Sequence, residues 1–338
     1  MIGDDDYAAV ARVLKSGWLA QGPQVAMFED QLSSFLGVEG AVAVSSGTAG
    51  LHLALRVLGV DEDAEVILPS YVCTALLNAV FYVKARAVIA DIEKDTFNID
   101  VASIKSHITE KTKAIIVPHM FGLPAEIDAI CNLGIPVIED CAQSLGARFR
   151  GGMTGSFGIC SVFSFYATKV IATGEGGMVA SDNEELRNRI RNLRDYDERD
   201  FYEVRYNYKM TDIQAALGIS QLNKLPGALD RRSDIAHIYE KILRNRGIDP
   251  PVVPEERRHI YYRYVITLDD KRDFIDKMNL HHIECRRPVY KPLHAQIGFP
   301  ACPVTDDVFS RAVSVPLYPS LDDEDVERIA MALEDALP

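Results

Sequence analysis

Seven short apolar runs recur before residue 181, each separated from the next by turn residues or a helical pattern. They are "AVAVS" (41–45), "EVILP" (65–69), "AVIAD" (87–91), "KAIIVPH" (113–119), "IPVIED" (135–140), "CSVFSF" (160–165) and "GGMVA" (176–180). They are rich in β-branched residues and do not alternate strictly between apolar and polar. A strand with one wet face alternates with a period of two, so these runs predict strands buried on both faces, in a mostly parallel sheet covered by helices. The intervening patterns agree. In "TAGLHLALRVLG", Leu51, Ala54, Leu55 and Leu58 follow the spacing of one helical face, and "AEIDAICNLG" stops at Gly134. One large α/β domain is expected.

The flanks differ in texture. "YAAVARVLKSGWLAQGPQVAMFEDQLSSFLG" predicts helices on both sides of a "GWLAQGP" break. Beyond residue 181, Thr211 stands three residues before Gln214, a capping-box pattern, and a second helical stretch is expected over Ala228–Arg244. After "IDPPVVPEE" the chain mixes a strand pattern ("YYRYVITL") with helical ones ("DKRDFIDKMN", "DDEDVERIAMAL"). The expected division is a large domain over 1–225, including the N-terminal helices, and a smaller α+β domain over 226–338.

Charge narrows the partners. A formal net charge of -13 argues against a nucleic-acid or anionic-membrane partner, because phosphate backbones need clustered Lys and Arg. A small phosphorylated ligand stays possible, since backbone amides can hold it. The six cysteines form no CxxC pair, so they are expected as buried thiols in a reducing compartment, with neither a disulfide framework nor a zinc or other metal site. No apolar run approaches the ~18 residues of a membrane span, and "MIGDDDYAAV" is acidic where a signal peptide is basic. A cytoplasmic location is expected.

Three motifs carry chemistry. In "AVAVSSGTAGLHLAL" a strand runs into Ser45-Ser46-Gly47-Thr48 and a helix begins; free amides, a glycine and hydroxyls make a phosphate cradle, or equally a capped helix start. In "IPVIEDCAQSLGA", Asp140 ends a strand where parallel sheets open their ligand crevice, although a helix-capping aspartate fits as well. Strand alternation sends Glu139 to the other face. In "SFYATKVIATGEGGMV", Lys169 follows Ser164 in a loop of small residues, either a solvated charge or an amine kept for chemistry. Together these are the parts pyridoxal phosphate requires: an amine for a Schiff base, an acid for the pyridine nitrogen and donors for the phosphate.

The ordered series "SGWLAQGPQVAMFE", "SSGTAGLHLAL", "IEDCAQSLGA", "GSFG", "SFYATK", "GEGGMV", "YNYKMTDIQAA" and "VPLYPSL" resembles the DegT/StrS family of pyridoxal-phosphate-dependent sugar aminotransferases over nearly the whole chain. The resemblance implies an aspartate-aminotransferase type of fold. By position, Lys169 matches the Schiff-base lysine, Asp140 the partner of the pyridine nitrogen and Gln143 the residue near the ring hydroxyl. Ser164, with the Gly47 and Thr48 backbone, matches the phosphate site. Tyr71 in "PSYVCT" falls where an aromatic ring stacks on the pyridine, and Asn207 matches an asparagine reaching the neighbouring subunit's cofactor phosphate. Trp18, His119, Arg286 and His294 are substrate-side candidates. Lys209 departs from the family's usual arginine, which puts a bidentate contact in doubt.

What the resemblance implies is amino transfer, with glutamate as donor, to a nucleotide-linked keto sugar, in a homodimer with shared active sites. Three alternatives differ in class. A pyridoxal-dependent sugar dehydratase of the same family carries histidine where this chain has Lys169. An NAD-dependent oxidoreductase needs a GxGxxG turn, which "SSGTAG" is not. A non-catalytic cofactor-binding regulator would not need Lys169, Asp140 and Gln143 together.

Overall fold

The computed structural model describes residues 2–197 and 200–338. Each of the seven apolar runs forms a strand: β1 (Ala41–Val44), β2 (Glu65–Pro69), β3 (Arg86–Ala90), β4 (Thr112–Pro118) and β5 (Val137–Asp140) precede a small ribbon of β6 (Arg148–Phe149) and β7 (Gly152–Met153), and β8 (Cys160–Ser164) and β9 (Gly177–Ala180) follow it. The seven join in one sheet of order β1-β9-β8-β5-β4-β2-β3. Only β9 runs antiparallel to its neighbours, because β8 turns straight back into it without a crossover helix. Every residue of β1, β2, β5 and β9 is buried, the double-sided burial that the unalternated runs demand.

Helices α1 (Asp4–Ser16) and α2 (Pro23–Leu36) flank the N-terminal break. α3 (Gly47–Val57), α4 (Ala75–Tyr82), α5 (Val101–His107), α6 (Ile127–Cys131) and α7 (Glu184–Leu193) lie between or after strands. α8 (Asp212–Asn245) opens with the expected capping box: the Gln214 amide donates to Thr211 Oγ1 at 3.3 Å, and the Thr211 amide donates to Gln214 Oε1 at 3.0 Å. Here the structure departs from expectation. A single 34-residue helix passes through Pro226 instead of two separate stretches. Its first half packs Leu222, Leu225 and Leu229 into one core, and its second half packs Ile235, Tyr239 and Leu243 into another. Burial on both sides of Pro226 outweighs the one backbone hydrogen bond the proline removes. The two cores therefore meet along α8, across the expected boundary at residue 225.

The C-terminal part holds β10 (Arg257–Arg258), which pairs with β6, then β11 (Tyr264–Thr267), α9 (Lys271–Leu280), α10 (Leu293–Ile297), α11 (Pro303–Arg311), β12 (Ala312–Val315) and α12 (Asp323–Ala336). No helix among the described residues is long and apolar enough to cross a membrane. All six cysteines are unpaired; four are buried as expected, whereas Cys131 is half-buried and Cys73 exposed.

The sheet sets the site. β1, β8, β5, β4 and β2 end on the same edge, where β9 begins, so the turns after those strands face one crevice.

Candidate active site

At the end of β1, Ser46 caps α3 by accepting the Ala49 amide on Oγ at 3.1 Å. The capped-helix reading is therefore true, and it leaves the Gly47 and Thr48 amides, the first two of the helix, without intrahelical acceptors. The turn is tightly held. A Cβ on Gly47 would lie 2.9 Å from Ser164 Cβ, and one on Gly177 would meet the Ser46 backbone at 2.4 Å. Glycines here let the turn, the end of β8 and the start of β9 close together around free donors.

Asp140 ends β5 and is buried, with Oδ1 accepting the Ala142 amide at 3.0 Å. Burial raises its carboxyl above the ordinary value, and the Ala142 amide and the Lys169 charge only partly offset this. A carboxylate so placed lacks a full complement of donors, which a cationic N–H in the crevice would supply. Glu139, on the opposite face, is satisfied. Burial would raise its carboxyl, but His119 and the Gly155 and Gly158 amides hold it below the ordinary value. His119 Nε2 lies 2.9 Å from Glu139 Oε2, and its Nδ1 accepts the Ala125 amide at 3.0 Å. Cys141 lies close to this pair, but the buried His119 and Glu139 already use their polar atoms within the protein. The cluster is a brace behind Asp140.

Lys169 sits at the apex of the β8–β9 loop. The loop is pinned by Phe165 N–H to Gly176 O at 2.9 Å, Ala167 N–H to Gly174 O at 3.1 Å and Lys169 N–H to Tyr166 O at 2.8 Å. Among the described residues its amine makes no ion pair or hydrogen bond, and Nζ stands 5.5 Å from the Tyr262 ring centroid. Gln143 Oε1 accepts the Phe121 amide at 3.0 Å, holding Phe121 at a φ of 56° that non-glycine residues seldom adopt.

Several expected residues lie elsewhere. Tyr71 is fully buried between Phe97 and Phe121, so no ring face is open for stacking. Cys73 is the solvent-accessible residue of that turn; the protein packed around its thiol raises it, Asp140 adds to this and Lys169 opposes it, which puts the thiol beside both. His119 is buried in the brace. His294 Nδ1 lies 2.6 Å from the buried Ser70 Oγ and Nε2 3.2 Å from Asp306, which pins α10 to the end of β2 instead of presenting a side chain to a ligand. Trp18 is exposed, with Nε1 donating to Gln21 O at 3.1 Å, and lines a cleft with Asp212 on the α1–α2 side. Arg286 lines a pocket together with Thr168 and Tyr262, paired with Glu284. Lys209 is tied to Asp195 at 2.5 Å and Asp197 at 3.5 Å. Asn207 is exposed on a strip held by Tyr206 N–H to Leu193 O and by Ser45 N–H to Tyr208 O, immediately beside the phosphate-type turn.

The profile of the DegT/DnrJ/EryC1/StrS aminotransferase family matches residues 1–334. The chain belongs to this family. DegT-family aminotransferases use pyridoxal phosphate, and the site is similar in design to what that cofactor requires: an unpaired amine, an under-satisfied buried carboxylate and free amides at a helix start. Among relatives, the spore coat polysaccharide biosynthesis protein SpsC of Bacillus subtilis is 34% identical over 99% of this chain and 95% of its own length. The aminotransferase TlmJ of Streptoalloteichus hindustanus superposes with a TM-score of 0.95 at 31% identity, covering 100% of this chain and 97% of its own. The putative sugar aminotransferase Spr1654 of Streptococcus pneumoniae, solved in a PLP form, superposes at 0.93 with 28% identity, covering 99% of this chain and 96% of its own. This DegT-family chain is thus an aminotransferase of the sugar aminotransferase class.

Proposed function

We propose that the protein transfers an amino group from glutamate to a keto sugar carried on a nucleotide, working in the cytoplasm as a homodimer. The observation that carries the site assignment is the convergence of Lys169, Asp140 and the Ser46–Thr48 turn on one edge of the sheet. Neighbouring strands stand ~4.8 Å apart. The turn after β1 and the carboxylate at the end of β5 are thus separated by a few strand widths, with Ser164 between them, a span suited to a small ring bearing a phosphate.

In this assignment the Gly47 and Thr48 amides and Ser164 hold the phosphate, Asp140 keeps the ring nitrogen protonated and Gln143 orients the ring. When bound, pyridoxal phosphate supplies an electron-withdrawing ring that accommodates the electron pair left as a proton departs the donor's α-carbon. Lys169 would hold the cofactor, and its Nζ would move that proton. Lysine at this position speaks against the dehydratase alternative. The nucleotide link and the glutamate donor rest on the family resemblance, and the unpaired thiols support a reducing compartment.

Two measurements test this. Holoprotein mixed with glutamate should yield about one equivalent of 2-oxoglutarate per site, and a nucleotide-linked keto sugar should then restore the starting spectrum of the cofactor. A free keto sugar serving equally well would exclude the nucleotide requirement.

For the dimer, the exposed Asn207 lies among exposed Tyr196, Phe201, Tyr202 and Val204, apolar surface a second copy would cover. A random equal mixture of Lys169→Ala and Asn207→Ala chains should regain about a quarter of wild-type activity, because half the mixed dimer's sites carry neither lesion. No recovery despite proven subunit exchange would mean that Asn207 serves its own chain.

A further inference from the structure

The crevice beside Lys169 has a volume of about 410 Å³, and Thr168, Tyr262 and four arginines line it: Arg232, Arg263, Arg286 and Arg328. Three of the four are committed. Arg232 Nη1 donates to the carbonyls of Tyr261 at 3.0 Å, Tyr262 at 3.3 Å and Leu317 at 3.2 Å. Arg286 is paired with Glu284 through Nε at 2.7 Å and Nη2 at 3.0 Å, and Arg328 with Asp325 at 2.9 Å. Among the described residues, the half-buried Arg263 is the one of the four whose guanidinium has neither a carboxylate nor a carbonyl partner.

Its position is fixed from behind. The Arg263 amide donates to Phe121 O at 3.4 Å, and the Phe121 amide donates in turn to Gln143 Oε1 at 3.0 Å. Arg263 therefore emerges from the same loop that Gln143 braces. Its Cζ stands 5.8 Å from the Tyr262 ring centroid, and Lys169 Nζ stands 5.5 Å from that centroid. Through the shared ring the two cations lie within roughly 11 Å of each other. The charge of Arg263 is also felt at the buried Tyr71 hydroxyl, which has no hydrogen-bond partner.

A guanidinium partly removed from water and left without an acceptor invites an oxyanion, and its planar fork matches a carboxylate through two parallel N–H bonds. We propose that Arg263 binds the α-carboxylate of the amino donor, presenting the donor's α-carbon to Lys169. This rests on the amino-transfer function proposed above and adds the residue that recognises the donor. A phosphate of a nucleotide-linked sugar offers similar chemistry. It stands a full sugar ring beyond the ketone that must reach the Lys169 side, however, whereas an α-carboxylate is bonded to the reacting carbon itself.

The test compares wild type with Arg263→Gln and Arg263→Lys, all loaded with pyridoxal phosphate. Spectral titration should give cofactor affinities within about 3-fold of each other, which also shows that the variants fold. The glutamate concentration for half-maximal conversion of the cofactor should rise at least about 30-fold in Arg263→Gln and less in Arg263→Lys, which keeps the charge but loses the fork. The half-reaction with the nucleotide-linked keto sugar should stay within about 3-fold of wild type in its concentration dependence. Propylamine, a donor with no carboxylate, should be discriminated against by wild type and much less so by Arg263→Gln. An unchanged glutamate dependence in Arg263→Gln overturns the assignment while leaving amino transfer intact. A loss confined to the nucleotide-sugar half-reaction also overturns it, in favour of phosphate. No conversion of wild type by any amino acid overturns the donor reading and this assignment with it.

Discussion

Lys169→Ala is expected to lower the rate of amino transfer by at least about 10⁴-fold, because one amine both holds the cofactor and moves the proton. No neighbour can substitute. The Cys73 thiol is pushed above its ordinary value, and His119 and His294 are buried in polar contacts of their own. The same substitution should change the apoprotein's thermal unfolding by no more than about 1 kcal/mol, since among the described residues the amine makes no ion pair or hydrogen bond and loses only its contact with the Tyr262 ring and its charge near Asp140. The loop's backbone bonds at Phe165, Ala167 and Lys169 do not involve it. Turnover together with a melting curve checks both halves. An inactive variant that also melted early would make Lys169 a structural residue.

Asp140→Asn should cost about 10³-fold in turnover, against about tenfold for Gln143→Ala. The asparagine can still accept the Ala142 amide, but it brings no negative charge to hold a protonated ring nitrogen. Equal mild losses in the two variants would contradict this division of roles. The apoprotein should respond in the opposite sense. Burial raises the Asp140 carboxyl, so over the window from its ordinary value up to the raised one the folded chain binds more protons than the unfolded one. Stability of the wild-type apoprotein therefore falls as pH rises through that window, and the cost persists above it. An uncharged amide in the same place carries no such cost. At neutral pH the Asp140→Asn apoprotein should melt no earlier than wild type, and any advantage should vanish once the pH drops below the ordinary carboxylate range.

His52 bears on acid sensitivity elsewhere in the molecule. It is buried against Tyr206 and Tyr208, and burial with the Arg56 charge lowers it to about 4. The unfolded chain takes up that proton first, so stability is lost as pH falls from the ordinary histidine value toward 4.

The sheet was legible in the chain because each strand is buried on both faces, which leaves an apolar run that turn residues cannot imitate. Asp140 and Ser164 were legible for a related reason: each ends such a run, and parallel topology carries strand ends to one crevice. Glu139 could be assigned away from the site by alternation alone, and it lies in the brace with His119. The turn after β2 shows where that logic stops. Whether Tyr71 or Cys73 faces the crevice depends on how the chain bends at Ser70, whose amide bonds to Ala90 O and whose carbonyl accepts both Val72 and Leu293 amides. Strand periodicity does not extend into such a turn. His119 and His294 fall in loops that the family resemblance puts near the site, but Glu139 and Ser70 draw them inward. Arg263 was missed because its significance lies in what its neighbours do: Arg232, Arg286 and Arg328 have carboxylate or carbonyl partners and, among the described residues, it has neither, a contrast that exists only after folding.

The most direct measurement is borohydride reduction of the holoprotein followed by mapping of the labelled peptide. Reduction fixes the cofactor to the lysine that holds it, without reference to substrate. The added mass should fall on the peptide containing Lys169, at about one equivalent per chain, and should be absent in Lys169→Ala. Label on another lysine, or unchanged labelling in the variant, would contradict the assignment of Lys169, Asp140 and the Ser46–Thr48 turn as one cofactor site.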